Sequence, residues 1–241
     1  MIARTVRTSQ QVYARIGGIL YLIIIIAGAL GEIFIRGKLI VSGDAISTAN
    51  NIMASQSLWR LGIVGDLLMH VCDIPLMLIL YVLLKPVNKN LALLAVVFNL
   101  IQTAVLVANK LNLLMPLFFL GNADYLKAFE TNQLYGLAYT FLKLHDYGFG
   151  VGLIFFGFAC LVYGYLLFRS DYFPRTLGVL MAIAGLGYLV NSFTLILAPA
   201  FAGTIFPVLV LALIGELSLC LWLMVKGVDL LKWEKRALES A

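Results

Sequence analysis

Nine ionisable side chains stand inside stretches of sequence that are otherwise strongly apolar: Glu32, Asp66, His70, Asp73, Lys110, Lys143, His145, Asp146 and Glu216. A charge in the hydrocarbon of a bilayer costs roughly 2.5 to 3.5 kcal/mol on insertion scales, so such residues turn toward a protein interior and mark sites of function. At 100° per residue, Asp66, His70 and Asp73 fall within an arc of about 60° on one helix, and Asn99, Gln102, Asn109 and Lys110 within about 100° on the next. Two polar stripes on consecutive helices point to a shared polar interior, able to hold a small polar ligand, an ion or a proton.

Several chemistries compete for these residues. Asp66, His70 and Asp73 offer oxygen and imidazole ligands at i, i+4 and i+7, which suits a divalent cation held with His145, Asp146 or Glu216. The pattern is short enough to arise by chance. His70 and His145, the two histidines of the chain, stand on different helices and could in principle ligate haem b; their different depths and acidic neighbours argue against it, and no cofactor is expected. Lys110 and Asp66 share a depth on sequential helices, so a salt bridge would remove two unpaired charges from low dielectric. His145 shares its helical phase with Gly148, Gly152 and Ala159, a small-residue face where it can hydrogen-bond to a packed helix. The whole network can also serve only to hold a bundle in register. Signatures of soluble enzymes are absent: no Walker loop, GxGxxG, GxSxG or HExxH.

The elements that carry these groups follow from composition. Of 241 residues 62% are hydrophobic and 12% charged, against about a quarter charged in soluble domains. Lipid is therefore the solvent for much of the chain. A bilayer-spanning helix needs about 20 mainly apolar residues, and six such runs occur, at 16–35, 58–84, 90–120, 134–168, 174–197 and 204–226. The expectation is an all-α, polytopic six-transmembrane-helix bundle forming a single domain over 1–241. Asp44 is placed to cap a short helix over 45–54, whose apolar side of Ile46, Ala49 and Met53 lies on the outer surface. Cys72, Cys160 and Cys220 all fall within apolar runs and read as small core residues. Pro75, directly after the Asp66–Asp73 stripe, can loosen the helix beside it.

Cations set the expected orientation. With the N-terminus inside, cytoplasmic segments hold Arg4, Arg7, Arg15, Lys85, Lys89, Arg169, Arg175, Lys226, Lys232, Lys235 and Arg236, while outer segments hold Arg36, Lys38, Arg60 and Lys127. Eleven against four is a positive-inside bias that places both termini in the cytoplasm. The formal charge of +5 then reports topology and contact with anionic headgroups rather than nucleic-acid binding. Lys232–Arg236, with Trp233 among the charges, reads as an interfacial anchor. In this orientation Glu32, Asp66 and Lys110 lie in the outer third of the bilayer with Lys143, His145 and Asp146, and His70, Asp73 and Glu216 lie deeper. The expected site is an outward-facing polar cavity: Asp66 and Lys110 at its mouth, Asp73 and Glu216 as an acidic floor, with Glu32, Gln102, Asn109, His145 and Asp146 around it.

Seven segments together resemble a known family: Ala14-Arg-Ile-Gly-Gly-Ile-Leu-Tyr-Leu, Gly43-Asp-Ala, Val71-Cys-Asp-Ile, Tyr81-Val-Leu-Leu-Lys-Pro-Val-Asn-Lys-Asn-Leu-Ala-Leu-Leu, Leu144-His-Asp-Tyr-Gly-Phe, Phe168-Arg-Ser-Asp-Tyr-Phe-Pro-Arg and Ile214-Gly-Glu-Leu. They resemble the bacterial membrane family called domain of unknown function 4386, over about 14–229. The resemblance implies an integral, multi-pass protein of the bacterial plasma (inner) membrane and carries no activity over. Its segments contain Asp73, His145 and Glu216. The family pattern has an apolar residue where this chain has His70, which weighs against a haem or metal centred on that side chain. The function expected first is a transporter-like or ligand-binding bundle for a small polar or amphipathic molecule. A metal-dependent intramembrane enzyme acting on a lipid or isoprenoid, and a partner or regulatory protein with a purely structural polar core, stand as alternatives. The bilayer is the expected partner, and a chain this small leaves room for a homodimer.

Overall fold

The computed structural model describes residues 2–205 and 207–239, and the side chains of 2–9, Arg4 and Arg7 among them, lie outside the described ones. The first membrane helix begins well before its apolar run. Residues 2–16 contain no glycine or proline, so nothing interrupts α1 (Ile2–Ala29). The helix then passes through a π-helical turn, Leu30–Arg36, into a last turn, Gly37–Leu39. The Gly37 N–H donates to Glu32 O, the five-residue spacing of a π-helix, and the Ile40 N–H returns to four-residue spacing on Arg36 O.

Among the described residues, six helices are long and apolar enough to cross a membrane: Gln10–Leu39, α3 (Gln56–Leu84), α4 (Lys89–Phe119), α5 (Thr131–Arg169), α6 (Arg175–Leu197) and α7 (Val208–Val225). Among the described residues there is no strand. At 39 residues, α5 is about 58 Å long, roughly twice the hydrocarbon thickness, so it extends beyond the apolar layer. The last span begins at Val208 rather than at the expected 204. Pro207 sits at its N-cap, and residues before it form separate short turns, Pro199–Phe201 and Ala202–Ile205; Phe206 lies outside the described residues. Pro75 is accommodated within a continuous α3. Large apolar side chains such as Ile33, Leu61, Val71 and Leu111 are more than 60% exposed, as lipid-facing surfaces require.

The chain forms two compact units. One comprises Met1–Ile23, Cys72–Thr103 and Gly150–Ala241; the other comprises Ile24–Val71 and Ala104–Phe149. Four of the long helices therefore give a segment to each.

In the larger unit, α5 and α6 approach closely enough that a Cβ on Gly178 would meet Phe168 N at 2.5 Å and Gly164 O at 2.6 Å. Small residues let membrane helices pack backbone to backbone in this way. The segment between α5 and α6 is tied to the end of α3: the Tyr172 hydroxyl donates to Leu83 O at 2.8 Å, and the Trp233 indole donates to the same carbonyl at 3.0 Å. Burial pushes the Tyr172 phenol above its ordinary pKa, which keeps it a donor. Trp233 lies on α8 (Leu230–Glu239) and is buried. Trp233 thus faces the protein and caps a helix carbonyl at the end of α3. Cys160 and Cys220 are buried in this unit, and the Cys220 thiol donates to Gly18 O at 3.4 Å.

The smaller unit has its own core of Leu39, Ile52, Trp59, Ile63, Leu113 and Leu142. Its short helix, α2 (Ala45–Ala54), starts at Asp44, whose carboxylate accepts from Ser47 N at 2.9 Å and Ser47 Oγ at 2.6 Å. The face of α2 buried against the protein is Thr48, Ala49 and Ile52. Ile46 stays half exposed because Ile52 is drawn into the core beside Trp59. The Trp59 indole completes this core by donating to Leu113 O at 2.8 Å.

Candidate functional site

Asp66 is the centre of an ion cluster in the smaller unit. Lys110 Nζ stands 2.9 Å from Asp66 Oδ2, forming the pair that matching depth on α3 and α4 suggests. A second cation, Arg36, reaches the same carboxylate, with Nη1 2.7 Å from Oδ2 and Nη2 3.4 Å from Oδ1. Arg36, an outer-segment cation by its position in the sequence, lies within the first span, is 11% exposed and faces a carboxylate that is 1% exposed. The π-helical turn explains the difference. It inserts one residue's worth of rotation into the end of α1 and brings Arg36 round to the protein side. Gly31 completes the geometry, since a Cβ there would lie 2.8 Å from Asp66 Oδ1 and 3.1 Å from Arg36 Nη2.

Glu32 lies one turn before Arg36 and accepts from its Nε at 2.8 Å. Its side chain remains 63% exposed. The i,i+4 spacing of Glu32 and Arg36 was the available signal for this link.

Beside the cluster is a cavity of about 220 Å³. Glu32, Arg36, Gly37 and Ile40 from the end of α1 form one side, and Tyr139, Leu142, Lys143 and Asp146 from α5 form the other. Lys143 Nζ is 3.4 Å from Asp146 Oδ2 and 5.5 Å from the centre of the Tyr139 ring. The Tyr139 hydroxyl accepts from Gly43 N at 2.7 Å, which leaves its own proton to donate. Sequence reasoning missed Tyr139, although it shares the helical phase of Lys143 and Asp146 at i+4 and i+7, and it missed Gly37 and Ile40 at the end of the first span.

His145 is buried one turn from this wall. Its Nδ1 is 4.0 Å from Asp146 Oδ1, and its ring stacks on Phe149 with centroids 6.4 Å apart. Asn109 donates to the His145 carbonyl at 2.9 Å and accepts from Asn112 at 2.8 Å. The approach depends on Gly148, where a Cβ would fall 2.2 Å from Asn109 Oδ1. The small face that shares the phase of His145 therefore does receive a neighbouring helix, through an asparagine.

Of the remaining expected site residues, His70 is buried in the smaller unit, and Glu216, Asp73 and Gln102 belong to the larger one. Glu216 on α7 is buried, accepting from the Tyr21 hydroxyl at 3.1 Å on one oxygen and from the Tyr188 hydroxyl on the other. Asp73 accepts from Thr103 Oγ1 at 3.2 Å, and Gln102 Oε1 lies 3.4 Å from that hydroxyl. Tyr21 and Tyr188 were not expected as partners, since a tyrosine in an apolar run reads as ordinary core. Among the described residues no three His, Cys, Asp or Glu side chains are gathered closely enough to hold a metal ion. Asp66, His70 and Asp73 share a helical stripe but do not form such a group, and Asp66 is committed to two cations.

The chain is 28% identical over 170 residues to an uncharacterized protein of Archaeoglobus fulgidus, an alignment covering 68% of this chain and 83% of the relative. No solved structure matches it. The model of the family described as Domain of unknown function (DUF4386) matches residues 16–227, and the chain belongs to that family.

Proposed function

We propose that the chain is a transporter-like, ligand-binding membrane protein whose site is the cavity of the smaller unit. One observation carries this reading: four ionisable side chains from two helices, Glu32, Arg36, Lys143 and Asp146, converge on one cavity beside a buried ion cluster. Helix docking alone gives no reason to hold charges around open space. The volume of about 220 Å³ lies below the roughly 300–1,000 Å³ typical of sites for drug-sized ligands. It suits a small polar molecule or the headgroup of an amphipathic one, with Ile40 and Leu142 as the apolar contact.

The cation distribution supports an outward-facing cavity in the plasma membrane, with both termini cytoplasmic. Because Arg36 is committed to Asp66, the outer segments are left with Lys38, Arg60 and Lys127, which sharpens the bias toward the inside.

Native mass spectrometry of the purified protein tests the reading. Wild-type protein is expected to retain a small molecule or lipid, and Ile40→Trp, which fills the cavity beside Leu142, is expected to lose it while remaining a folded, monodisperse species by size-exclusion chromatography. Equal retention in both proteins, or none in either, overturns the proposal.

A further inference from the structure

We propose that the cavity takes an anionic group, a carboxylate or a phosphate ester, which displaces Glu32 from Arg36 and is held on its other side by Lys143. This rests on the ligand-binding reading above and names the chemistry of the ligand.

The reason is an imbalance of buried charge. Arg36 and Lys110 are 11% and 4% exposed, and both rest on a single buried carboxylate, Asp66. Two buried cations against one buried anion leave a surplus positive charge at the cavity wall, and in low dielectric such a surplus requires a counter-charge. Glu32 supplies it, through one contact at 2.8 Å and from a side chain that is 63% exposed. A carboxylate this exposed, held by a single internal contact, gives up that contact cheaply. An incoming anion therefore competes with a weak internal occupant for a strongly held guanidinium.

The remaining walls suit the same charge. Lys143 is half exposed and only loosely paired with Asp146, at 3.4 Å, and the Tyr139 hydroxyl has a proton to donate. Arg36, Lys143 and Tyr139 thus present three donors to one space. Carboxylates and phosphates also match the planar fork of arginine better than other anions do.

Two sources share this chemistry, a soluble anion and an anionic lipid headgroup. Titration of the purified protein with glycerol 3-phosphate probes the first. Retention of phosphatidylglycerol against phosphatidylcholine in mixed nanodiscs, read by native mass spectrometry, probes the second. In whichever arm binds, Glu32→Gln is expected to tighten binding about twofold to fivefold, the factor set by losing a competing exposed ion pair. Lys143→Gln is expected to weaken binding by at least a similar factor. Both side chains are substantially exposed, so both variants should fold as wild type.

Failure of both probes to bind overturns the inference, as does Glu32→Gln that weakens binding or leaves it unchanged. If Ile40→Trp still expels a retained molecule while the Glu32 and Lys143 variants have no effect, the cavity binds a ligand that is not an anion. If Ile40→Trp expels nothing, the ligand-binding reading itself falls.

Discussion

Asp66 and Glu216 are both buried acids on membrane helices, and the two units satisfy them by different means. In the smaller unit Asp66 is met by full charges, Lys110 and Arg36. In the larger unit Glu216 is met by the hydroxyls of Tyr21 and Tyr188. Neutral donors satisfy a carboxyl without adding charge, so the arrangement around Glu216 is closed. Cations overcompensate Asp66, and the surplus is balanced only by Glu32 at the surface. The smaller unit is thus the place where polar compensation is incomplete, and it is also where charged side chains surround a cavity. A buried polar group by itself says little about function; how its charge is balanced says more.

The strongest way to break this contrast is to neutralise Asp66. Asp66→Asn leaves Arg36 and Lys110 buried against each other, and uncompensated buried charges cost about 3–5 kcal/mol. Thermal unfolding in detergent should show a large loss of stability. Adding Lys110→Met should recover much of that loss, because Arg36 and Glu32 then remain as a neutral pair. Lys110→Met alone should cost less than Asp66→Asn, since Arg36 still holds the carboxylate. Additive losses in the double variant would show that the charges do not interact as a unit.

Gly31→Ala tests the same cluster through space rather than charge. Its Cβ would lie 2.8 Å from Asp66 Oδ1, and that carboxylate is fixed by two cations, so it cannot swing aside freely. Overpacking of this kind costs about 1–3 kcal/mol. An unfolding midpoint equal to that of wild type would mean that the cluster is looser than its distances indicate.

Glu216→Gln probes the other side of the comparison. The amide keeps one carbonyl acceptor for one tyrosine, and its NH₂ can donate to the hydroxyl oxygen of the other. Hydrogen bonds between membrane helices average about 0.6 kcal/mol and reach roughly 1.7, so the loss should stay within that range. If Glu216→Gln destabilised as much as Asp66→Asn, Glu216 would be carrying a charge that the larger unit depends on, and the two units would not differ.

Much of the fold was legible in the sequence because lipid constrains composition so tightly. All six spans are where apolar runs place them, and Asp44 caps the short helix that follows it. The ion pair of Lys110 with Asp66 was also legible, since length along two consecutive helices fixes relative depth. Arg36 was hidden, because regular 100° phasing fails across a π-helical turn and no composition signal marks that turn. The packing of Ile52 beside Trp59 was not legible either, because it depends on contact with a residue on another helix. The Phe168–Arg175 segment illustrates a different limit. It carries part of the family resemblance, yet Tyr172 caps the Leu83 carbonyl and Ser170 donates to Leu167 O at 2.7 Å while accepting from Phe173 N at 3.2 Å. A recurring motif there reports a joint in the scaffold, which residue identity alone does not distinguish from a site.

A third acid, Asp44, supplies the reference for the other two. It stands in the smaller unit but outside the membrane spans, and backbone and hydroxyl donors of Ser47 satisfy it. The side-chain bond from Ser47, then the backbone bond, hold its carboxyl below the usual carboxylate range. Because the folded-state pKa is depressed, this contribution is fully present above the unfolded value of about 3.9 and is lost as pH falls through the lower folded value. Amide exchange at Ser47 and Thr48 should therefore stay slow to about pH 4 and accelerate below it, with fraying confined to the first turn of α2. Asp44→Ser, which can still cap the helix, should remove the acid dependence and keep most of the protection. If acid instead released the whole of α2 together with Trp59, Asp44 would be holding the core of the smaller unit, and the surplus charge around Asp66 would not be that unit's main point of weakness.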